Sequence, residues 1–339
     1  MAAVAASSVA PWAHLRITRW SAALGGIAWL AAWPMLHGWA KLGWAEAALL
    51  FAALVIVPLG FGLVEMPSRS GRAHRAWRWA VRCQFPAALL LIASLGCSMP
   101  LAVALSFPYL LVTGFAALVG AWRFVHRLSA KRDKPQWHEV CLDAALVYLP
   151  GGALWHLLGL LDRPVLGFEP VIVRLTAVHL HYVGFALPLL TGLAVRQVGG
   201  SSRRSTRLAR GLCISALLNF PVIAGAMTLA QHTAWRGPEL AAVVLLSAAC
   251  CVLALWQVRA ATASHQPAVL MLLGFSAISL TTAMGLAVIY ASGQYLGTRW
   301  LDIAAMLPTH GVLQAIGFAL CGLLAWHAAA DNRSGERGA

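Results

Sequence analysis

The 339 residues are 60% hydrophobic and only 11% charged, with 15 Trp, a balance that excludes an ordinary soluble domain. A formal net charge of +14 would suggest nucleic acid as the partner of a soluble chain. Here the Lys and Arg residues gather between long apolar runs, which assigns them to membrane topology and leaves the lipid bilayer, with no nucleic acid, as the expected partner.

A helix crossing the ~30 Å hydrocarbon core needs roughly 20 apolar residues. Ten runs approach that length: 20–37, 45–63, 84–99, 101–122, 140–161, 171–195, 208–231, 239–258, 268–291 and 303–326. The expected architecture is therefore an all-α, polytopic transmembrane helix bundle of about ten spans. Residues 1–19 form a cytoplasmic amino-terminal segment, 20–327 one transmembrane domain, and 328–339 a polar cytoplasmic tail without fixed structure. Arg16 and Arg19 directly precede span 1, which is expected to be retained as an anchor.

Span 2 ends at Glu65, and Arg69, Arg72, Arg75, Arg78 and Arg82 follow at intervals that place them on one face of a helix. That face would lie along the inner leaflet against anionic lipid, as would the runs Arg123–Lys134 and Arg203–Arg210. Between spans 3 and 4, Met99–Leu101 leaves almost no loop, and Ser106–Pro108 interrupts span 4.

Span 5 has Asp143 one turn inside, His156 in its outer third, and Pro150, Gly151 and Gly152 near its middle. This tripeptide is expected to kink or unwind the helix. Unwound backbone is tolerated at membrane depth only where protein or a water-filled cavity satisfies it, and transporters place substrate sites at such breaks.

Span 6, VIVRLTAVHLHYVGFALPLLTGLAVR, buries His179 and His181. Ionisable groups at that depth usually face a bundle interior or a cavity, which makes them site candidates. A neutral imidazole bonded to a neighbouring carbonyl would hold helices together equally well. Two residues turn an α-helix by about 200°, so the two rings point to opposite sides and could serve a separate site each.

Span 7 carries Asn219 beside Pro221, and span 10 reads MLPTHGVLQAIGF, with His310 and Gln314 on one face. Counted at 1.5 Å per residue, His156, His179, His181 and His310 all lie roughly 8–15 Å from the outer surface. Twenty of the 25 Lys and Arg residues fall at the amino terminus, in the loops after spans 2, 4, 6 and 8, and in the tail. By the positive-inside rule this makes both termini cytoplasmic, in a bacterial inner membrane. The seven cysteines show no CxxC spacing and suggest neither disulfides nor zinc.

The phrase LTAVHLHYVGFALPLLTG, preceded by the glycine-rich tripeptide and followed by THGVLQAIGF, resembles the YndJ-like family of bacterial membrane proteins over most of the ten spans. The resemblance implies a transporter-like membrane protein and points to His179, His181, Tyr182, Gly184, Phe185, His310, Gly311 and Phe318. The chain departs mildly from the family, with HLHYVGF in place of HFHYAGF and Gln314 in place of Asn. Separately, VHLHYV is similar over about six residues to AHFHYV of haem-copper oxidase subunit I, whose histidines ligate two haems on opposite sides of one helix.

Three functions follow. The first is a transporter-like protein for a small solute or ion, whose site draws on His179, His181, Tyr182, His310, Gln314, Asn219 and the Pro150–Gly152 tripeptide. The second is a haem or copper protein ligated by His179, His181, His310 or His156. The third is a sensor or assembly partner whose histidines only join helices. No GxxxxGK[ST], HExxH or GxSxG occurs, which sets ATP-driven transport by this chain and intramembrane hydrolysis behind these three.

Overall fold

A computed structural model describes residues 13–38, 43–66, 71–129, 136–198 and 202–335. The expectations for residues 1–12, for Lys41, Arg69, Lys131, Arg132 and Lys134, and for the last four residues lie outside the described part. The described residues form ten helices: α1 (Ala13–Gly38), α2 (Trp44–Gly62), α3 (Arg72–Leu95), α4 (Leu101–Ser129), α5 (Trp137–Gly159), α6 (Pro170–Val198), α7 (Arg203–Thr233), α8 (Gly237–Ser264), α9 (Pro267–Leu296) and α10, which begins at Ile303 and ends at Gly335. All except α1 and α3 are long and apolar enough to cross a membrane.

Local chemistry sets several ends. Ser202 accepts from the Ser205 N–H and Asp302 from the Ala305 N–H, and prolines occupy the first turns of α6, α8 and α9. Ala234, His265 and Gly297 close α7, α8 and α9 in the left-handed conformation. Large apolar side chains such as Leu30, Leu118, Leu245, Leu255 and Ile278 point outward, as expected of a bundle whose solvent is lipid.

α2 and α6 form the centre, with most of their apolar length buried. Both contain wide, π-helical turns, at Ala52–Ile56 and Leu180–Ala186, and α10 has two more at Leu307–Gly311 and Leu313–Leu320. Such turns interrupt the regular i→i−4 ladder, and carbonyls in and beside them accept side-chain donors from other helices. Trp29 Nε1–H donates to Ala47 O (2.8 Å), the Tyr182 hydroxyl to Ala48 O (3.0 Å), Gln84 Nε2–H to Ala53 O, and the Ser276 hydroxyl to Phe318 O (2.9 Å). The wide turns of α2, α6 and α10 touch one another at mid-bundle.

The structure corrects four expectations. α5 is continuous through Pro150, Gly151 and Gly152, because the glycines serve close packing instead of unwinding. A Cβ on Gly152 would lie 2.6 Å from the His181 ring, and one on Gly151 3.4 Å from Leu180. α4 likewise runs through Ser106–Pro108 without a break. The tail does not begin at residue 328, since α10 continues to Gly335. Its last turns are held by Arg19, which donates to Asp331 (2.8 Å) and, through Nε–H, to His327 Nδ1 (2.9 Å). Finally, Arg123 is not a lipid-facing residue of a basic loop but is fully buried among acidic partners.

Candidate functional site

His181 occupies the point where α4, α5 and α6 meet, and it is fully buried. Its Nδ1 lies 2.8 Å from Ala177 O. A carbonyl can only accept, so Nδ1 carries the proton and the neutral ring offers Nε2 as an acceptor. The Tyr109 hydroxyl, 2.9 Å away on α4, donates to it. Tyr109 and the imidazole also lie nearly parallel, with ring centroids 5.9 Å apart and planes inclined by 18°. Gly152 supplies the space that lets the ring lie flat against α5.

One turn beyond Gly152, His156 Nε2 lies 3.3 Å from the Ser106 hydroxyl. His156 and Ala177 also line a cavity of about 310 Å³ among the ends of α2 to α6. Its mouth carries charge: Arg174 pairs with Asp162 (2.8 Å) and Glu46 (3.4 Å), and Cys97 and Met99 complete one wall. From this cavity inward, α4 presents Ser106, Tyr109 and Thr113 on one buried stripe.

The expected rotation between the two span-6 histidines holds. His179 points away from His181, with Nδ1–H on Leu175 O at 2.7 Å. His310 bonds Ala283 O of α9 (2.8 Å), and Gln314 Nε2–H donates to Met284 Sδ (3.4 Å). Of the four candidate histidines, His156 and His181 thus bond hydroxyls of α4, Ser106 and Tyr109, while His179 and His310 bond the carbonyls of Leu175 and Ala283. Tyr182 serves α2 through Ala48 O, and Asn219 lies apart on α7, bonded by Ser215 (3.3 Å). Among the described residues no group of three or more His, Cys, Asp or Glu is disposed to hold a metal.

At the opposite, basic end of the same helices lies a cluster that sequence reasoning missed. Arg123 bonds Asp143 (2.7 Å) and Glu139 (2.8 Å), and Arg127 pairs with the same two carboxylates. Arg196 of α6 joins Glu139 (3.2 Å) to Glu65 at the end of α2 (3.3 Å). The available signal was spacing: Arg123 and Arg127 are four apart near the end of one span, and Glu139 and Asp143 four apart at the start of the next. Between this cluster and His181 the interval, about 20 Å along α4 at 1.5 Å per residue, is filled by buried Val112, Ala116, Val119, Leu142, Leu146 and Leu149.

These features define an integral membrane protein of the all-α class, with a cavity that reaches the buried His156. The family model for YndJ-like proteins matches residues 47–318, and the chain belongs to that family. It is similar to a Bacillus subtilis protein described as "Uncharacterized membrane protein YndJ", 26% identical over 283 residues that make up 83% of this chain and 48% of the relative. The chain thus spans about half the length of that relative. No solved structure matches.

Proposed function

We propose that the chain is a proton-linked transporter of a small solute, seated in the cytoplasmic membrane with its basic face and both termini inward. The observation that carries this reading is the cavity of about 310 Å³ that reaches His156 among the ends of α2 to α6. Behind it stand His181 and Tyr109, and beyond them the apolar interval and the Arg–carboxylate cluster close the other face. An access route that stops at a titratable group inside the bundle is what alternating access requires of each end state. Imidazole suits the coupling role, because its reference pKa of about 6.5 allows it to gain and lose a proton near neutrality.

In this reading His156 meets proton and solute first. Its neighbour His181 then takes the proton on Nε2, at which point the Tyr109 hydroxyl turns from donor to acceptor without leaving its place. The charged mouth of Glu46, Arg174 and Asp162 selects small polar or zwitterionic solutes over lipid.

The test is proton uptake by proteoliposomes under an imposed pH gradient, followed with an internal pH dye across a panel of small solutes. A solute-dependent proton flux is expected, reduced by about 10²-fold or more in Tyr109→Phe and His181→Gln, on the scale of a lost positioned proton carrier. No solute-dependent flux from protein that reconstitutes in folded form, or flux indifferent to both changes, would refute the reading.

A further inference from the structure

Most buried or half-buried arginines of the bundle face a carboxylate: Arg19, Arg123, Arg127, Arg174 and Arg196 all do. The arginines of α3 do not. α3 contains no Asp or Glu, and among the described residues Arg72, Arg75, Arg78 and Arg82 make no ion pair or hydrogen bond. All four are exposed, and their intervals of three and four residues put them on one face of the helix. Trp79, 65% exposed, lies among them. The opposite face is fastened to α2: the ring centroid of Trp77 is 4.9 Å from that of Phe61, and Gln84 donates to Ala53 O in the wide turn. The bundle therefore holds α3 by one side and turns four guanidiniums away from itself.

The basic stretch continues without a break into apolar helix. α3 is unbroken from Arg72 to Leu95 and packs on α4, which is long and apolar enough to cross a membrane. At 1.5 Å per residue the arginines descend about 15 Å along the bundle, and Arg82 lies about 20 Å from the turn at residues 96–100. With that turn at one boundary of a ~30 Å hydrocarbon core, the backbone of Arg82 lies inside the other. A bare guanidinium is costly there, so the side chain reaches back to the headgroups or an anion comes down to it. Directly beyond Arg82 the same face becomes apolar, with Pro86 and Leu89 exposed. The exposed Arg203, Arg204 and Arg207 of α7 differ in depth, since they occupy only its first five residues.

From this arrangement we propose that the outer face of α3 binds one anionic phospholipid of the leaflet at the basic end. Its phosphate sits among Arg75, Arg78 and Arg82, Trp79 packs beside the glycerol backbone, and an acyl chain follows Pro86 and Leu89. Charge complementarity selects this occupant. Guanidiniums pair with phosphate through several N–H donors, and a lipid of net negative charge supplies the counter-charge that α3 lacks. In a zwitterionic lipid the headgroup cation competes with the arginines for the same phosphate. The proposal does not rest on the transport reading, which uses no residue of this face.

The experiment uses the full chain in mild detergent, titrated with phosphatidylglycerol or with phosphatidylcholine of the same acyl chains, and counts bound lipid by native mass spectrometry. One phosphatidylglycerol should stay bound in preference to phosphatidylcholine, and inorganic phosphate at the same concentration should not displace it. Arg78→Gln combined with Arg82→Gln should weaken phosphatidylglycerol binding by about 30-fold, roughly fivefold for each arginine near a membrane surface. Arg203→Gln combined with Arg204→Gln removes the same charge from α7 and should bind as the parent does. Thermal melts matched to the parent establish folding, and Arg82→Gln alone, at about fivefold, carries the test should the double variant not fold. Equal binding of the two lipids, displacement by inorganic phosphate, undiminished binding in the folded α3 variant, or an equal loss in the α7 variant would overturn the proposal.

Discussion

Replacing Gly152 with Ala probes the central contact with a single methyl group. The new Cβ would sit 2.6 Å from both Cε1 and Nδ1 of His181 and 3.3 Å from Ala177 O. Ordinary carbon contacts need about 3.5–4.0 Å, so the ring must retreat by roughly 1 Å. It is buried and held from both ends, by Ala177 O at 2.8 Å and by the Tyr109 hydroxyl at 2.9 Å, so a retreat of that size breaks at least one bond. Overpacking costs about 1–3 kcal/mol and a buried group left unsatisfied another ~1–3, against a gain of about 0.8–1 from replacing a helical glycine. The expected net destabilisation is therefore roughly 1–5 kcal/mol, from the same terms. Gly114, on α4, has no heavy atom within 4 Å of an added Cβ, so Gly114→Ala should keep only the gain, up to about 1 kcal/mol. Tryptophan fluorescence during thermal melting in detergent distinguishes the two by sign. If the ring escapes by leaving Tyr109, then Tyr109→Phe should cost less in the Gly152→Ala background than alone. A Gly152→Ala protein that melts at or above the parent would refute the packing argument.

Two further outcomes follow from the same geometry. Arg123→Ala leaves Asp143 buried with one cation fewer, and the melting assay should register about 3–5 kcal/mol of destabilisation, as for a broken buried pair; an unchanged melt would mean that water reaches the cluster. The adjacent glycines of α1 should behave oppositely. A Cβ on Gly25 would meet the Leu54 carbonyl of α2 at 2.1 Å, while one on Gly26 has only a Val55 methyl at 4.0 Å, so Gly25→Ala should lower the yield of folded protein and Gly26→Ala should not.

The helical, membrane-embedded class was legible because twenty-residue apolar runs have few alternatives in a bilayer. The opposed directions of His179 and His181 were legible for a similar reason, since helical rotation is a local property. What failed was reading partners from local composition. Pro150, Gly151 and Gly152 look like a break, yet whether glycine loosens a helix or admits a neighbour depends on what packs there, and here it is the His181 ring. Arg123 looked like a topology charge because its acids, Glu139 and Asp143, belong to the next helix. Tyr109 and Ser106 carried no motif at all; only the stripe they share with Thr113 along α4 could have marked them.

The placement of polar bonds in the bundle indicates where motion would be least costly. α2, α6 and α10 are joined through carbonyls in and around their wide turns, by Tyr182 on Ala48 O and His327 on Leu59 O (2.9 Å), and α3 and α9 add Gln84 and Ser276 to the same backbone. Separating these helices would leave carbonyls without partners in a medium that supplies none. α4 is attached differently. It packs on α3 and α5, and among the described residues its hydrogen bond to α6 runs from Tyr109 to His181. At the basic end it is tied through Arg123 and Arg127 to Glu139, and through Glu139 to Arg196 of α6. An excursion of α4 away from α6 would therefore break the Tyr109 bond first, behind the cavity, and the Arg–carboxylate cluster last. Proton occupancy of His181 bears on that first bond directly, because it decides whether Tyr109 donates or accepts.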